Sequence, residues 1–192
     1  AHGTASDADN RYLWRQNPRR LQAEAMRDAV LATSGKLNFK AGGSGYRDFK
    51  YTETYAPIYR YITPDTPDLW RRSIYRFVVR TTPHEFLTIL DCPDPANLTP
   101  KRLTTTTPLQ ALTLSNNPFM LTQVGYFAER LKQDASAKTA DQIDRAFRLA
   151  LSRPPTPAEA KAALQTVRDK GLFALCLALL NVNEFFLVDT FD

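Results

Sequence analysis

Two carboxylates and an amide stand three residues apart in a proline-rich stretch: Asp91, Asp94 and Asn97, within DCPDPAN. Paired carboxylates can hold calcium, share acid–base work, or cap loop amides. A calcium loop offers an oxygen ligand at every second residue and a glycine at its turn, and this stretch has neither. Arg80 and Arg102 bracket the stretch, so either can clamp its carboxylates by paired guanidinium bonds or hold the carboxylate, sulfate or phosphate of a ligand. A second polar group, Asn181, Asn183 and Glu184, interrupts the apolar run LALLNVNEFF, where polar side chains must find partners. Glu184 is read there in two ways, as the partner of an arginine or as an acid–base glutamate in a cleft.

The remaining chemically capable residues add less. His84 is expected in the first turn of a helix, neutral because the dipole disfavours a cation there, and facing solvent; His2 sits near the first residue. No Ser/His/Asp or Cys/His context supports nucleophilic catalysis. Cys92 and Cys176 fit neither a disulfide framework nor a zinc site; Cys176 reads as a small core hydrophobe, and Cys92 as a free thiol or half of one bridge. Without a CxxCH motif, covalent haem attachment is not expected, and no cofactor is expected in this chain.

The elements that position these groups announce themselves by proline. Thr82-Pro83, Thr107-Pro108 and Thr156-Pro157 each place Glu or Gln three residues after threonine, the pattern of a capping box, and Thr139 to Gln142 repeats it without proline. Asn17-Pro18 is expected to open a helix that ends at Gly35, with Leu21, Ala25, Ala29 and Ala32 inward and Arg19, Arg20, Glu24 and Arg27 wet. Further helices are expected over residues 83–90, 108–115, 118–133, 140–152, 157–169 and 172–182, the last being the most apolar. Asn116-Asn117-Pro118 stops one helix and starts the next at a sharp corner. The threonine run 104–107 is read as a cap and its approach.

Residues 36–66 hold the clustered glycines and five tyrosines without sustained periodicity, and read as a loop excursion with a short strand. Residues 68–81 suit either a strand or a helix; the helix is preferred, with Trp70, Ile74, Phe77 and Val78 on one face and Arg72, Arg76 and Arg80 on another. Stacked arginines repel, so they require acidic partners or an acidic ligand. The expected fold is mainly α: a single multi-helix domain over residues 1–192 with a Gly/Tyr-rich irregular excursion at about 36–66.

Composition bounds the function classes. A chain of 192 residues can bury about 70% of its unfolded surface in one core. The net charge of +5 is local: residues 1–80 carry fourteen Lys and Arg against eight Asp and Glu, whereas residues 81–192 carry eleven against twelve. Most of that excess is arginine, which pairs with carboxylates as readily as with phosphate, so an acidic partner surface or internal ion pairing is expected and nucleic acid is not. The longest apolar stretch, residues 172–180, is too short to span a bilayer, so no membrane insertion is expected.

Several stretches together resemble one known family: DNRYLWRQNPRRLQAEAMRDAVLATSG, AGGSGYRDF, RRSIYRFVVRTTPHEFLTILDCPDP, KRLTTTTPLQALTLSNNPF, RAFRLALSRPPTPAEA and ALLNVNEFFLVD. The chain is similar to the planctomycete-specific C-terminal domain of unknown function found in large proteins that also carry a planctomycete cytochrome c-like domain. Its motif residues fall here on Arg71, Arg72, Ser73, Asp91, Asp94, Arg102, Thr107, Pro108, Gln110, Asn116, Asn181 and Glu184. The resemblance implies a fragment of an exported, periplasmic or cell-envelope protein whose redox cofactor sits on another domain, and it implies no catalytic residues. The candidate polar cluster is accordingly Arg72, Arg80, Asp91, Asp94, Arg102, Asn116, Asn183 and Glu184. A binding module docking its neighbouring domains or an acidic glycan is expected. The alternative is a hydrolase or lyase on an extracellular polysaccharide, using Asp91, Asp94 or Glu184.

Overall fold

Eight α-helices carry most of the regular structure among the described residues: α1 (Ala23–Ser34), α2 (Glu85–Ile89), α3 (Pro108–Asn116), α4 (Pro118–Asp134), α5 (Thr139–Leu151), α6 (Pro157–Lys170), α7 (Leu172–Leu179) and α8 (Asn183–Phe186). This is a computed structural model, and it describes residues 7, 9–15, 17–63, 65–135 and 138–188. His2 lies outside them. Two two-stranded antiparallel pairs complete the set: β1 (Arg19–Arg20) with β4 (Leu187–Val188), and β2 (Phe49–Thr52) with β3 (Ile58–Tyr61). The fold is mainly α, as its periodicity and caps require. No helix among the described residues is long and apolar enough to cross a membrane.

Local signals set the helix starts where the cap geometry forms. Thr107 Oγ1 accepts from Gln110 N at 3.2 Å while Gln110 Oε1 accepts from Thr107 N at 3.3 Å, and Thr156 and Glu159 exchange the same pair of bonds. Asn117 Oδ1 caps α4 by accepting from Phe119 N at 2.9 Å, with Pro118 at the first helical position. The other two expected boxes do not form. α2 is capped by His84, two residues later than Thr82, and α5 begins at Thr139 itself after Lys138.

The core is built on α4, whose Met120, Val124, Phe127 and Leu131 are fully buried between α1 on one side and α7 on the other. Leu175, Cys176, Leu179 and Leu180 close it from the C-terminal side, and α6 covers α7 through Ala163. α7 ends at Leu179, short of Val182, because the chain turns there into α8. α1 ends at Gly35 as expected, in the left-handed conformation that suits glycine. It starts at Ala23, however, because Arg19 and Arg20 pair as a strand with Val188 and Leu187. Its buried face is therefore Ala23, Met26, Arg27, Val30 and Leu31, whereas Ala25 and Ala32 are exposed. Met, Val and Leu remove more apolar surface from water than the alanines, which decides the rotation.

Residues 68–81 do not form the expected helix. They make two 3-10 turns, Pro67–Trp70 and Ser73–Tyr75, the second with Ile74 exposed, followed by a non-helical stretch in which Phe77 and Val78 are exposed and Val79 is buried. The cause is capture of their backbone by other elements. The Arg27 guanidinium donates to Leu69 O at 2.5 Å and Arg71 O at 3.0 Å, and Tyr46 N donates to Tyr75 O at 2.9 Å. Carbonyls bonded this way are lost to an i→i−4 ladder. A Cβ on Gly45 would lie 3.0 Å from Tyr75 O, so only glycine allows this close approach.

Within residues 36–66 the structure has a hairpin in place of the single short strand expected there. Phe49 faces Tyr61 and Tyr51 faces Tyr59 across it, with Tyr51 and Tyr59 rings 5.3 Å apart. Phe49 also packs on Phe77, which seats the hairpin against residues 76–78. Arg71 holds the glycine loop by donating to Lys40 O, Gly42 O and Ser44 O.

Candidate functional site: an arginine-lined groove

α2 is only five residues long, and Asp91 ends its turn in the left-handed conformation, φ +68°. That turn aims the Asp91 carboxylate inward at the far end of the loop. It accepts from Thr105 N and Thr105 Oγ1, both at 2.7 Å, and from Gln110 Nε2 at 3.1 Å. Burial raises the Asp91 carboxyl, but the bonds from Thr105 and Gln110 outweigh it and hold the group below its ordinary range. Residues 92–104 are thus a loop tied at both ends. Asp94 is spent inside it, accepting from Ala96 N at 2.9 Å and Asn97 Nδ2 at 2.7 Å, a local turn device.

Arg102 does not clamp Asp91 or Asp94. It reaches α1, where Nη1 and Nη2 donate to the two oxygens of Glu24 at 2.7 and 3.0 Å. Burial raises the Glu24 carboxyl, yet the Arg102 bonds bring it below its ordinary range. Cys92 Sγ lies 3.7 Å from the same carboxylate, and burial together with Glu24 pushes the thiol up to about 11, so it is not an activated nucleophile.

Between α1, residues 72–79, α2 and this loop lies an open groove of about 470 Å³, with Arg72, Arg76 and Arg102 on its walls among Ile74, Val78 and Pro95. Arg72 is 58% exposed and pairs with Asp28, Nε lying 3.5 Å from Oδ2. Among the described residues its guanidinium makes no hydrogen bond, which leaves its donors for a ligand. Asp28 also accepts from Ser73 N and Oγ at 2.8 and 2.7 Å, which fixes the Arg72 backbone against α1. Arg27, expected on the wet side, is buried beneath this segment with its guanidinium over Tyr46 and Phe119.

Behind the groove is a buried charged cluster. Asp48 Oδ1 lies 3.9 Å from Arg76 Nη1, with side chains 10% and 8% exposed, and Asp48 Oδ2 lies 3.4 Å from His84 Nε2. His84 is not solvent-facing: its ring packs 4.6 Å from Tyr61, and Nδ1 accepts the capping bond from Leu87 N at 3.4 Å. Both ring nitrogens are engaged, which leaves neither free to act as a base toward the groove.

The structure therefore brings Arg72 and Arg102 together in this groove, places Asp91 with Arg102 on a second cleft beside Arg20, and separates the other candidates. Arg80 is exposed and has no side-chain partner among the described residues, and it does not approach Asp91 or Asp94. Asn116 is exposed at the end of α3 and Asn183 at the start of α8. Glu184 faces away from the groove into a clamp, where Arg153 Nε and Nη2 donate to its oxygens at 2.6 and 2.8 Å and Nη1 and Nη2 donate to Glu159 at 2.9 and 2.8 Å. Asp91, Asp94 and Glu184 share no cleft. Among the described residues no three His, Cys, Asp or Glu side chains are placed to hold a metal ion. Sequence reasoning named Arg76 as needing an acidic partner but missed that partner, Asp48, as it missed Glu24 and Asp28; the pairs Glu24–Arg102, Asp28–Arg72 and Asp48–Arg76 span 28 or more residues of the chain. No local spacing signals such pairs.

Scaffold and groove together define a helical domain whose conspicuous polar groups mostly hold its own irregular segments in place. The chain belongs to the family described as PSD1, protein of unknown function (DUF1553), which matches residues 1–167. No curated protein and no solved structure matches it.

Proposed function

We propose that this domain is a non-catalytic interaction module of an exported multidomain protein, and that its arginine-lined groove docks an acidic surface of a neighbouring domain. The observation that carries the reading is Arg72, half exposed with a guanidinium that makes no hydrogen bond among the described residues, beside Arg102 in one apolar-walled groove. Arginine set among apolar residues is the composition of a protein–protein contact. The carboxylates that an enzyme reading needs are spent elsewhere: Asp91 on Thr105 and Gln110, Asp94 on its own turn, Glu184 on Arg153. The exported location, and the carriage of any redox cofactor by another domain, rest on the resemblance to the planctomycete family.

The test is titration of this domain with the upstream domains of its own chain at low salt, with sulfated and carboxylated glycans as comparison ligands. Binding to the upstream domains is expected to weaken with added salt and in Arg72→Ala. Flat titrations with every ligand refute the module, and binding to the glycans alone refutes the protein partner.

A further inference from the structure

We infer that the groove receives its partner as an added β-strand along residues 76–78, and that the partner segment is an extended peptide alternating acidic and apolar side chains. This rests on the interaction-module reading above. Tyr46 N donates to Tyr75 O and Phe77 N donates to Tyr46 O, both at 2.9 Å, a parallel bridge centred on Arg76. Successive residues of an extended chain turn their N–H and C=O groups to opposite edges. These bonds use the edge facing Tyr46, so Arg76 O, Val78 N and Val78 O lie on the other edge. Among the described residues none of those three groups has an intramolecular hydrogen bond.

Folded proteins usually guard such an edge with lysine, proline or a covering element. Here it is flanked by apolar side chains instead, Ile74 75% and Val78 49% exposed, and Arg76 and Val78 also line the groove. Strand addition draws affinity from main-chain bonds and specificity from alternate side chains. The Arg72 guanidinium, which makes no hydrogen bond among the described residues, selects a carboxylate, and Ile74, Val78 and Pro95 select apolar side chains. A polysaccharide has no amide ladder to match the edge. A nucleic acid likewise has no amide ladder to pair with the edge.

The probe is a short synthetic peptide alternating glutamate and valine, with two analogues N-methylated on one or the other set of alternate amides, and a peptide with lysine replacing glutamate. The glutamate peptide is expected to bind and the lysine peptide not. One N-methylated analogue should lose about tenfold or more in affinity while the other is unaffected, since only one edge pairs. On binding, exchange of the Val78 amide should slow by about tenfold or more, while the Phe77 amide, already bonded to Tyr46, stays unchanged. Equal binding of both analogues with unchanged Val78 exchange overturns strand addition. Failure of all the peptides overturns it as well. In either case the module reading survives if the upstream domains still bind through Arg72, and falls if they do not.

Discussion

Gln110 offers the sharpest check on the claim that the residues around Asp91 are a structural node. It is buried, 3% exposed, yet its side chain bonds five residues in three segments. Nε2 reaches Ile89 O at 2.9 Å, Asp91 Oδ2 at 3.1 Å and Thr105 Oγ1 at 3.0 Å, and Oε1 accepts from Arg20 Nη1 at 2.8 Å and from Thr107 N at 3.3 Å. An amide has two N–H donors, so the three acceptors around Nε2 count as two bonds, which makes about four bonds in all. At about 0.5–1.5 kcal/mol net each, with some partners able to turn to water, Gln110→Ala should cost about 3 kcal/mol. In a domain of this size that lowers the melting temperature by about 6–12 °C. Thr107→Ala, which removes only a cap, should cost about 1 kcal/mol. Denaturant unfolding of the two variants beside the wild type is the assay. If Gln110 only closed a capping box, the two losses would be equal, and that equality would refute the node. Gln110→Glu adds a sign test: its carboxylate faces Asp91 and Ile89 O, so its deficit should shrink as pH falls and the new group is protonated.

Other outcomes follow from the same geometry. Side-chain bonds from Arg153, with Thr156 N, hold the Glu159 carboxyl at about 2, below its ordinary 4.5, so this stability is present above about pH 4.5 and lost as pH falls toward 2. Arg153→Ala should therefore destabilise at pH 7 and converge on the wild type near pH 2 in melting experiments; a deficit independent of pH would refute the clamp. Cys92, pushed up to about 11 by burial and Glu24, should react with iodoacetamide far more slowly at pH 8 than a free thiol, and Glu24→Gln should speed it. Phe127→Ala, at the centre of α4, should cost about 3–5 kcal/mol in urea unfolding.

The sequence by itself determined what depends on neighbours within one helical turn. Thr107-Pro108, Thr156-Pro157 and Asn117-Pro118 start helices because cap oxygen and proline act on amides two or three residues on, and Gly35 stops α1 because only a residue tolerant of positive φ turns the chain there. The apolar run of α7 likewise fixed where a core must form. Tertiary contacts decided the rest. Arg19 and Arg20 became a strand because Leu187 and Val188 lie beside them, Arg27 went inward to hold the carbonyls of residues 69 and 71, and residues 76–78 were drawn out along Tyr46 instead of coiling. Which arginines share the groove was equally a matter of tertiary placement. Arg102 finds Glu24, Arg72 finds Asp28 and Arg76 finds Asp48 across 78, 44 and 28 residues, separations over which loop-closing contacts leave no periodic trace in the chain.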